Sequence, residues 1–243
     1  VALGDSITHH GLYHAFAELY YVTRFPAREL TVINSGIGGD RAVGGVRRLE
    51  WDVLAAKPTV VSVMFGMNDV DRFLYEEGKT GDAMTTARQT ALDVYRENQR
   101  ALVSRLQQSG AKVILFTPTI FDDTAELAGN VPKQAGLNRG LARFADAVRE
   151  LASESGASCV DFYEPMDRLN RQMQAANPAF TLVGPDRIHP GAPGHLVMTY
   201  LLLRAQRAPS LVSRVTVDAA SRRVVTVENG EAEWADAPPA ATG

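Results

Sequence analysis

Four short polar stretches carry residue types that do chemistry: Gly4-Asp5-Ser6-Ile7, Asn34-Ser35-Gly36-Ile37-Gly38-Gly39-Asp40, Gly66-Met67-Asn68-Asp69 and Asp186-Arg187-Ile188-His189-Pro190. A serine hydroxyl is a weak nucleophile at its own pKa and needs a neighbouring base. His189 can be that base, and Asp186, three residues earlier, can fold back to fix its tautomer and stabilise its cation. Acyl transfer also needs N–H donors aimed at a developing oxyanion. Gly39 offers a main-chain N–H unobstructed by a Cβ, Asn68 a side-chain amide, and Ser6 its own N–H at a helix start. Each piece alone is ordinary turn chemistry, since Gly, Asp and Ser are common turn residues. Their value depends on where the elements put them.

Short apolar runs alternate with longer helical patterns. Residues 1–3, 30–34 (LTVIN), 59–65 (TVVSVMF), 112–117 (KVILFT) and 158–162 (SCVDF) are β-branched, apolar on both faces and bounded by Gly, Pro or Asn. Strands of that kind are covered on both sides in a parallel sheet. Helices are predicted over 10–21, 43–55, 84–109, 133–155, 165–176 and 192–206. The alternation gives a three-layer, doubly wound α/β/α fold, in which ligands bind beyond the carboxyl ends of the strands. Three of the four polar stretches leave predicted strands, and the fourth precedes the last helix.

With these segments in this order, residues 1–206 resemble the GDSL, or SGNH, hydrolases, named for the Ser, Gly, Asn and His of four signature segments. The resemblance places Ser6, Gly39, Asn68 and His189 in those roles, with Asp186 as the acid of a triad. It implies a flavodoxin-like sandwich with a five-stranded parallel sheet, and ester hydrolysis without a cofactor. Polar residues at the strand exits (Thr8, His9, Asp40, Arg41, Asp69 and Arg72) and the lack of a greasy lid favour a small acyl group on a polar alcohol. Similar family members are often carbohydrate O-acetylesterases. The expected activity is therefore hydrolysis of acetyl esters of a carbohydrate through an acyl-enzyme. A lysophospholipase or thioesterase of the same family is the first alternative. An idle carbohydrate-binding or scaffolding module is the second.

Asp5 reads mainly as a turn residue and Asp69 as a brace for the asparagine loop, with Asp5, Asp40, Arg41 and Asp69 also candidates for substrate contact. His10 and His14 lie four apart, but no HExxH pattern follows, so His9, His10 and His14 are expected at the pocket rim and no metal is called for. GIGGDR lacks the last glycine of a dinucleotide loop, because Arg41 stands there. Gly78-Lys79-Thr80 would need glycine at Phe73 to end a phosphate loop, and GxSxG is absent. Trp51, Tyr13, Tyr20 and Tyr21 are read as core or helix-packing aromatics rather than a sugar platform.

A net charge of -3 over 243 residues argues against nucleic-acid binding, and no apolar run is long enough to span a bilayer. Cys159 is the sole cysteine, which excludes an internal disulfide and reads as a buried strand thiol. The stub at 1–3 suggests that residues, and with them a leader, precede Val1. An extracytoplasmic location would suit a polysaccharide ester; the oligomeric state is left open. Residues 207–243 form a C-terminal extension, with a β-hairpin of 214–218 and 223–228 followed by a disordered tail or linker at 235–243.

Overall fold

The computed structural model describes residues 1–129 and 132–235. Five strands, β1 (Ala2–Gly4), β2 (Asn34–Gly36), β3 (Val60–Met64), β4 (Lys112–Phe116) and β5 (Ser158–Val160), pair in the order β2-β1-β3-β4-β5. Every pairing is parallel. Helices α1 (Ser6–His10), α2 (Leu12–Arg24), α3 (Ala42–Asp52), α4 (Asp82–Gln108), α5 (Leu137–Ser155), α6 (Tyr163–Gln174) and α7 (Ala192–Ala205) connect them and cover both faces. Leu3, Val61, Val63 and Leu115 are wholly buried, as strands in the middle layer must be. The five-stranded α/β/α architecture expected from the alternation is the one observed.

The order of strands matters for the site. β1 sits between β2 and β3, so the chain leaves β1 for one neighbour and later returns on its other side. Such a reversal of strand order opens a crevice at the carboxyl edge. Ser6 leaves the middle strand of that trio, Gly39 follows the strand on one side, and Asn68 follows the strand on the other.

Local structure departs from expectation at several points, among them the start of α5 at Leu137 rather than 133. β2 is Asn34–Gly36 rather than 30–34. Ala2, Leu3 and Gly4 of β1 pair with Asn34, Ser35 and Gly36, and Leu30 and Ile33 are exposed. The helix expected over 10–21 is two helices, α1 and α2, broken at Gly11, which adopts a left-handed φ of 78°. Asp5 caps α1 by accepting from the Ile7 N–H, so Ser6 is the first helical residue. Trp51, read as a packing aromatic, is 67% exposed on α3. Tyr13 is in the core, against Phe116 and Phe162. Cys159 is half-buried, and burial pushes its thiol up to about 11.

The chain divides into two compact units, Val1–Ala205 and a second that begins at Gln206. The second contains an antiparallel hairpin of β6 (Arg214–Asp218) and β7 (Arg223–Glu228), with the bounds read from the sequence. The tail expected over 235–243 lies outside the described residues apart from Ala235. Among the described residues, no helix is long and apolar enough to cross a membrane.

Candidate active site

Ser6 Oγ lies 2.7 Å from His189 Nε2 although 183 positions separate the two residues. His189 Nδ1 lies 2.5 Å from Asp186 Oδ2. The other carboxylate oxygen of Asp186 accepts from the main-chain N–H groups of Ile188 and His189, each at 3.0 Å. One side chain thus shapes the loop and orients the ring it carries. Burial pushes the Asp186 carboxyl up, but the hydrogen bonds from the His189 ring and the two backbone N–H groups outweigh it and hold the group below its ordinary value. An ionised Asp186 accepts a hydrogen bond from Nδ1–H of the ring, which leaves Nε2 unprotonated and able to accept from the Ser6 hydroxyl.

The histidine loop is fastened from behind. Arg187, buried and at a left-handed φ of 67°, donates from Nη1 to the carbonyls of Asp122 and Ala125. The Asp122 N–H returns a bond to the Arg187 carbonyl. Asn170 joins Asp122 Oδ2 to the Leu182 N–H at the start of the loop. The Asp122 carboxyl is held down at about 2: burial pushes it up, and bonds from Thr181, Asn170 and two backbone N–H groups more than offset this. None of this support was read from the sequence, because no local pattern links residues 122, 170 and 187.

The oxyanion candidates share the cleft with the triad candidates. A cleft of about 370 Å³ is lined by Ser6, Gly39, Asn68 and His189 together with Arg41, Met67, Asp71, Arg72, Phe73 and Ile188. Gly39 has φ 76°, which L side chains rarely adopt, although a Cβ there would meet nothing within 4 Å. The backbone shape, not lack of room, requires glycine at this position. Asn68 Nδ2 donates one hydrogen to the Asp40 carbonyl at 2.9 Å, which fixes the amide and leaves its second hydrogen for a ligand.

Of the substrate-contact candidates, Arg41 alone lines the cleft. The carboxylates of Asp5, Asp40 and Asp69 are turned inward. Asp69 accepts from the Ala42 and Gly66 N–H groups, at 2.9 and 3.0 Å, and so braces the asparagine loop. Asp40 pairs with Arg48 at 2.8 Å. Met67, Asp71, Phe73 and Ile188 line the cleft without having been singled out by sequence. His10 stands beside the catalytic candidate, ring centroids 5.1 Å apart, while His9 and His14 donate to the Gly36 and Thr8 carbonyls. Among the described residues, no group of three or more His, Cys, Asp or Glu is arranged to hold a metal ion.

Burial pushes the Asp5 carboxyl up to about 7, reinforced by the charges of Asp69 and Asp40 and opposed by the Ile7 N–H. Such a group binds its proton more tightly folded than unfolded. Folding then takes up a proton between the ordinary value of 3.8 and about 7, so the contribution of Asp5 to stability falls as pH rises through that window. Asp5→Asn keeps an oxygen for the cap and removes the charge. Its melting temperature is expected to exceed that of the wild type at pH 8, and the difference is expected to vanish by pH 4. A difference independent of pH, measured by thermal denaturation across that range, would contradict this account.

Residues 2–197 match the model of the GDSL-like lipase/acylhydrolase family. The chain belongs to that family. It is a carboxylic ester hydrolase of the GDSL/SGNH type, which the family match and its acetylxylan esterase relatives support. An acetylxylan esterase of Geobacillus stearothermophilus is 28% identical over 185 residues, which is 74% of each chain. The structure of an acetyl-xylooligosaccharide esterase from Geobacillus stearothermophilus superposes with a TM-score of 0.69 at 25% identity, over 88% of this chain and 95% of that one. A gut microbial diltiazem-metabolizing enzyme superposes with a TM-score of 0.86 at 35% identity, over 93% of this chain. The chain spans 51% of that enzyme's length.

Proposed function

We propose that this family member is a serine acetylesterase that removes acetyl groups from a carbohydrate, with Ser6 as nucleophile, His189 as general base and acid, and Asp186 as its orienting carboxylate. The observation that carries the reading is the unbroken hydrogen-bonded line from Ser6 Oγ through His189 to Asp186, at 2.7 and 2.5 Å. As Oγ attacks the acetyl carbonyl, its proton passes to Nε2, and the imidazolium that forms is stabilised by the carboxylate at Nδ1. The carbonyl oxygen gains charge facing the N–H groups of Ser6 and Gly39 and the free hydrogen of Asn68. His189 then protonates the departing sugar oxygen, and water, deprotonated by the same ring, releases acetate.

The size and lining of the cleft support a small acyl group. About 370 Å³ is near the lower end for small-molecule sites. Arg41, Asp71 and Arg72 offer polar contacts to an alcohol, and Phe73, 58% exposed, offers an apolar ring face. The similarity to an acetylxylan esterase and to an acetyl-xylooligosaccharide esterase supports acetylated xylan or xylo-oligosaccharide as the substrate class. An extracytoplasmic site of action goes with such a polymer and is part of this reading.

The test is a substrate panel. The value of kcat/KM should be at least tenfold higher for p-nitrophenyl acetate than for the octanoate, and acetylated xylo-oligosaccharide should be deacetylated. Preference for octanoyl esters or for lysophosphatidylcholine would replace this reading with a lysophospholipase.

A further inference from the structure

Arg48 has no place in the acyl-transfer steps, yet it is 6% exposed and forms three bonds inside the protein. Its Nε donates to Asp40 Oδ2 at 2.8 Å, Nη1 to Asp52 Oδ2 at 3.0 Å, and Nη2 to the Gly4 carbonyl at 3.1 Å. Gly4 ends β1, two residues before Ser6. Asp40 follows Gly39, and its carbonyl holds the Asn68 amide. One guanidinium therefore touches the backbone that leads to the nucleophile and Asp40, the residue that follows Gly39 and whose carbonyl anchors the Asn68 amide from the separate loop after β3. The surroundings are built to admit this contact: a Cβ at Gly44 would lie 1.8 Å from Asp40 Oδ1.

We propose that Arg48 is a positioning residue for the oxyanion hole, locking the spacing between the Ser6 exit and the Gly39–Asp40 turn to which Asn68 is anchored. A guanidinium presents several N–H donors in a fixed fork, so its contacts to Gly4, Asp40 and Asp52 constrain direction as well as distance. A lysine ammonium cannot span the same three acceptors in a plane. Removing the cation also leaves the half-buried Asp40 carboxylate unpaired near Asp5 and Asp69. The proposal rests on Gly39 and Asn68 being the oxyanion donors.

The donors face charge that exists only in the transition state, so their misplacement should lower kcat and leave KM nearly unchanged. For acetyl ester hydrolysis, Arg48→Ala and Arg48→Lys are expected to lower kcat about 10–100-fold, with KM within about twofold of wild type. Millimolar guanidinium should restore part of the kcat of Arg48→Ala and none of that of Arg48→Lys. Asp40→Asn preserves shape, and should reproduce the loss in kcat even where the arginine variants fold poorly. Arg105→Met is the control: Arg105 grips the outer side of α3 through the Val46 carbonyl and Glu50, so its loss should lower the melting temperature without changing kcat.

The proposal is overturned if Arg48→Lys and Asp40→Asn keep wild-type kcat, or if both lose only the activity that Arg105→Met loses at equal destabilisation. If Asn68→Ala also retains kcat, the assignment of the oxyanion donors fails together with the proposal. If Asn68→Ala loses kcat and the other two do not, only the role of Arg48 falls.

Discussion

Ser6→Ala should lower kcat for an unactivated acetyl ester by about 10⁶-fold, and adding His189→Ala should cost almost nothing more. The size follows from serine hydrolases generally, where nucleophile and base act as one unit and losing either removes the covalent route. The non-additivity is the sharper part. A 2.7 Å bond makes the Ser6 hydroxyl and the His189 ring one proton-transfer pair, so the ring has nothing to accept once the hydroxyl is gone. Independent roles would instead multiply the two losses. Stability should hardly change, because the substitution removes a single half-buried hydrogen bond worth ~0.5–1.5 kcal/mol. Wild type, both single variants and the double variant, assayed with matched melting curves, decide it. A Ser6→Ala protein with more than one per cent of wild-type activity would remove Ser6 from the chemistry and leave the ester hydrolysis of the family to another group.

What the sequence disclosed, and what it withheld, divides along a physical line. The meeting of Ser6, Gly39 and Asn68 in one cleft was legible because a parallel sheet delivers each strand's exit to the same edge, so locating the strands was enough to bring the loops together. The adjacency of β2, β1 and β3 then completed the grouping. The hairpin bounds were legible because alternation and a short turn are local signals. β2 was misplaced because an apolar run marks the tendency to pair, whereas the pairing itself needs a partner, and the register puts that partner opposite Asn34–Gly36. The break at Gly11 was missed because the helical pattern continues through it; the left-handed glycine was the available signal. Arg48 was not singled out, because it stands beside Arg47 in the predicted helix 43–55 and outside the four polar stretches. Periodicity separates them, since position 48 shares a face with Gly45 and Leu49, which are buried, while Arg47 is exposed. The brace of Asp122, Asn170 and Arg187 has no such local signal. Its parts lie in separate segments, and only the packed fold shows that a buried arginine in a left-handed conformation is holding the histidine loop.

That loop decides the second large effect. Asp186→Asn should lower kcat by about 10⁴-fold while leaving the fold intact, the size seen when a triad acid becomes an amide elsewhere. The isosteric amide retains an oxygen for the Ile188 and His189 N–H groups, so the turn that Asp186 shapes should survive. The reversal occurs at the ring. An amide nitrogen in the place of Oδ2 donates to Nδ1, and the imidazole must then carry its proton on Nε2, facing Ser6 with a hydrogen where a lone pair is needed. The serine cannot be deprotonated from that tautomer, and the nascent imidazolium also loses the negative charge beside it. Asp186→Ala distinguishes the two duties of the residue. It frees the ring to take either tautomer but removes the acceptors of the turn, so it should lose less kcat than Asp186→Asn while losing more thermal stability. An alanine variant catalytically worse than the asparagine variant would show that holding the loop in place, and not setting the proton on His189, is the main contribution of this carboxylate.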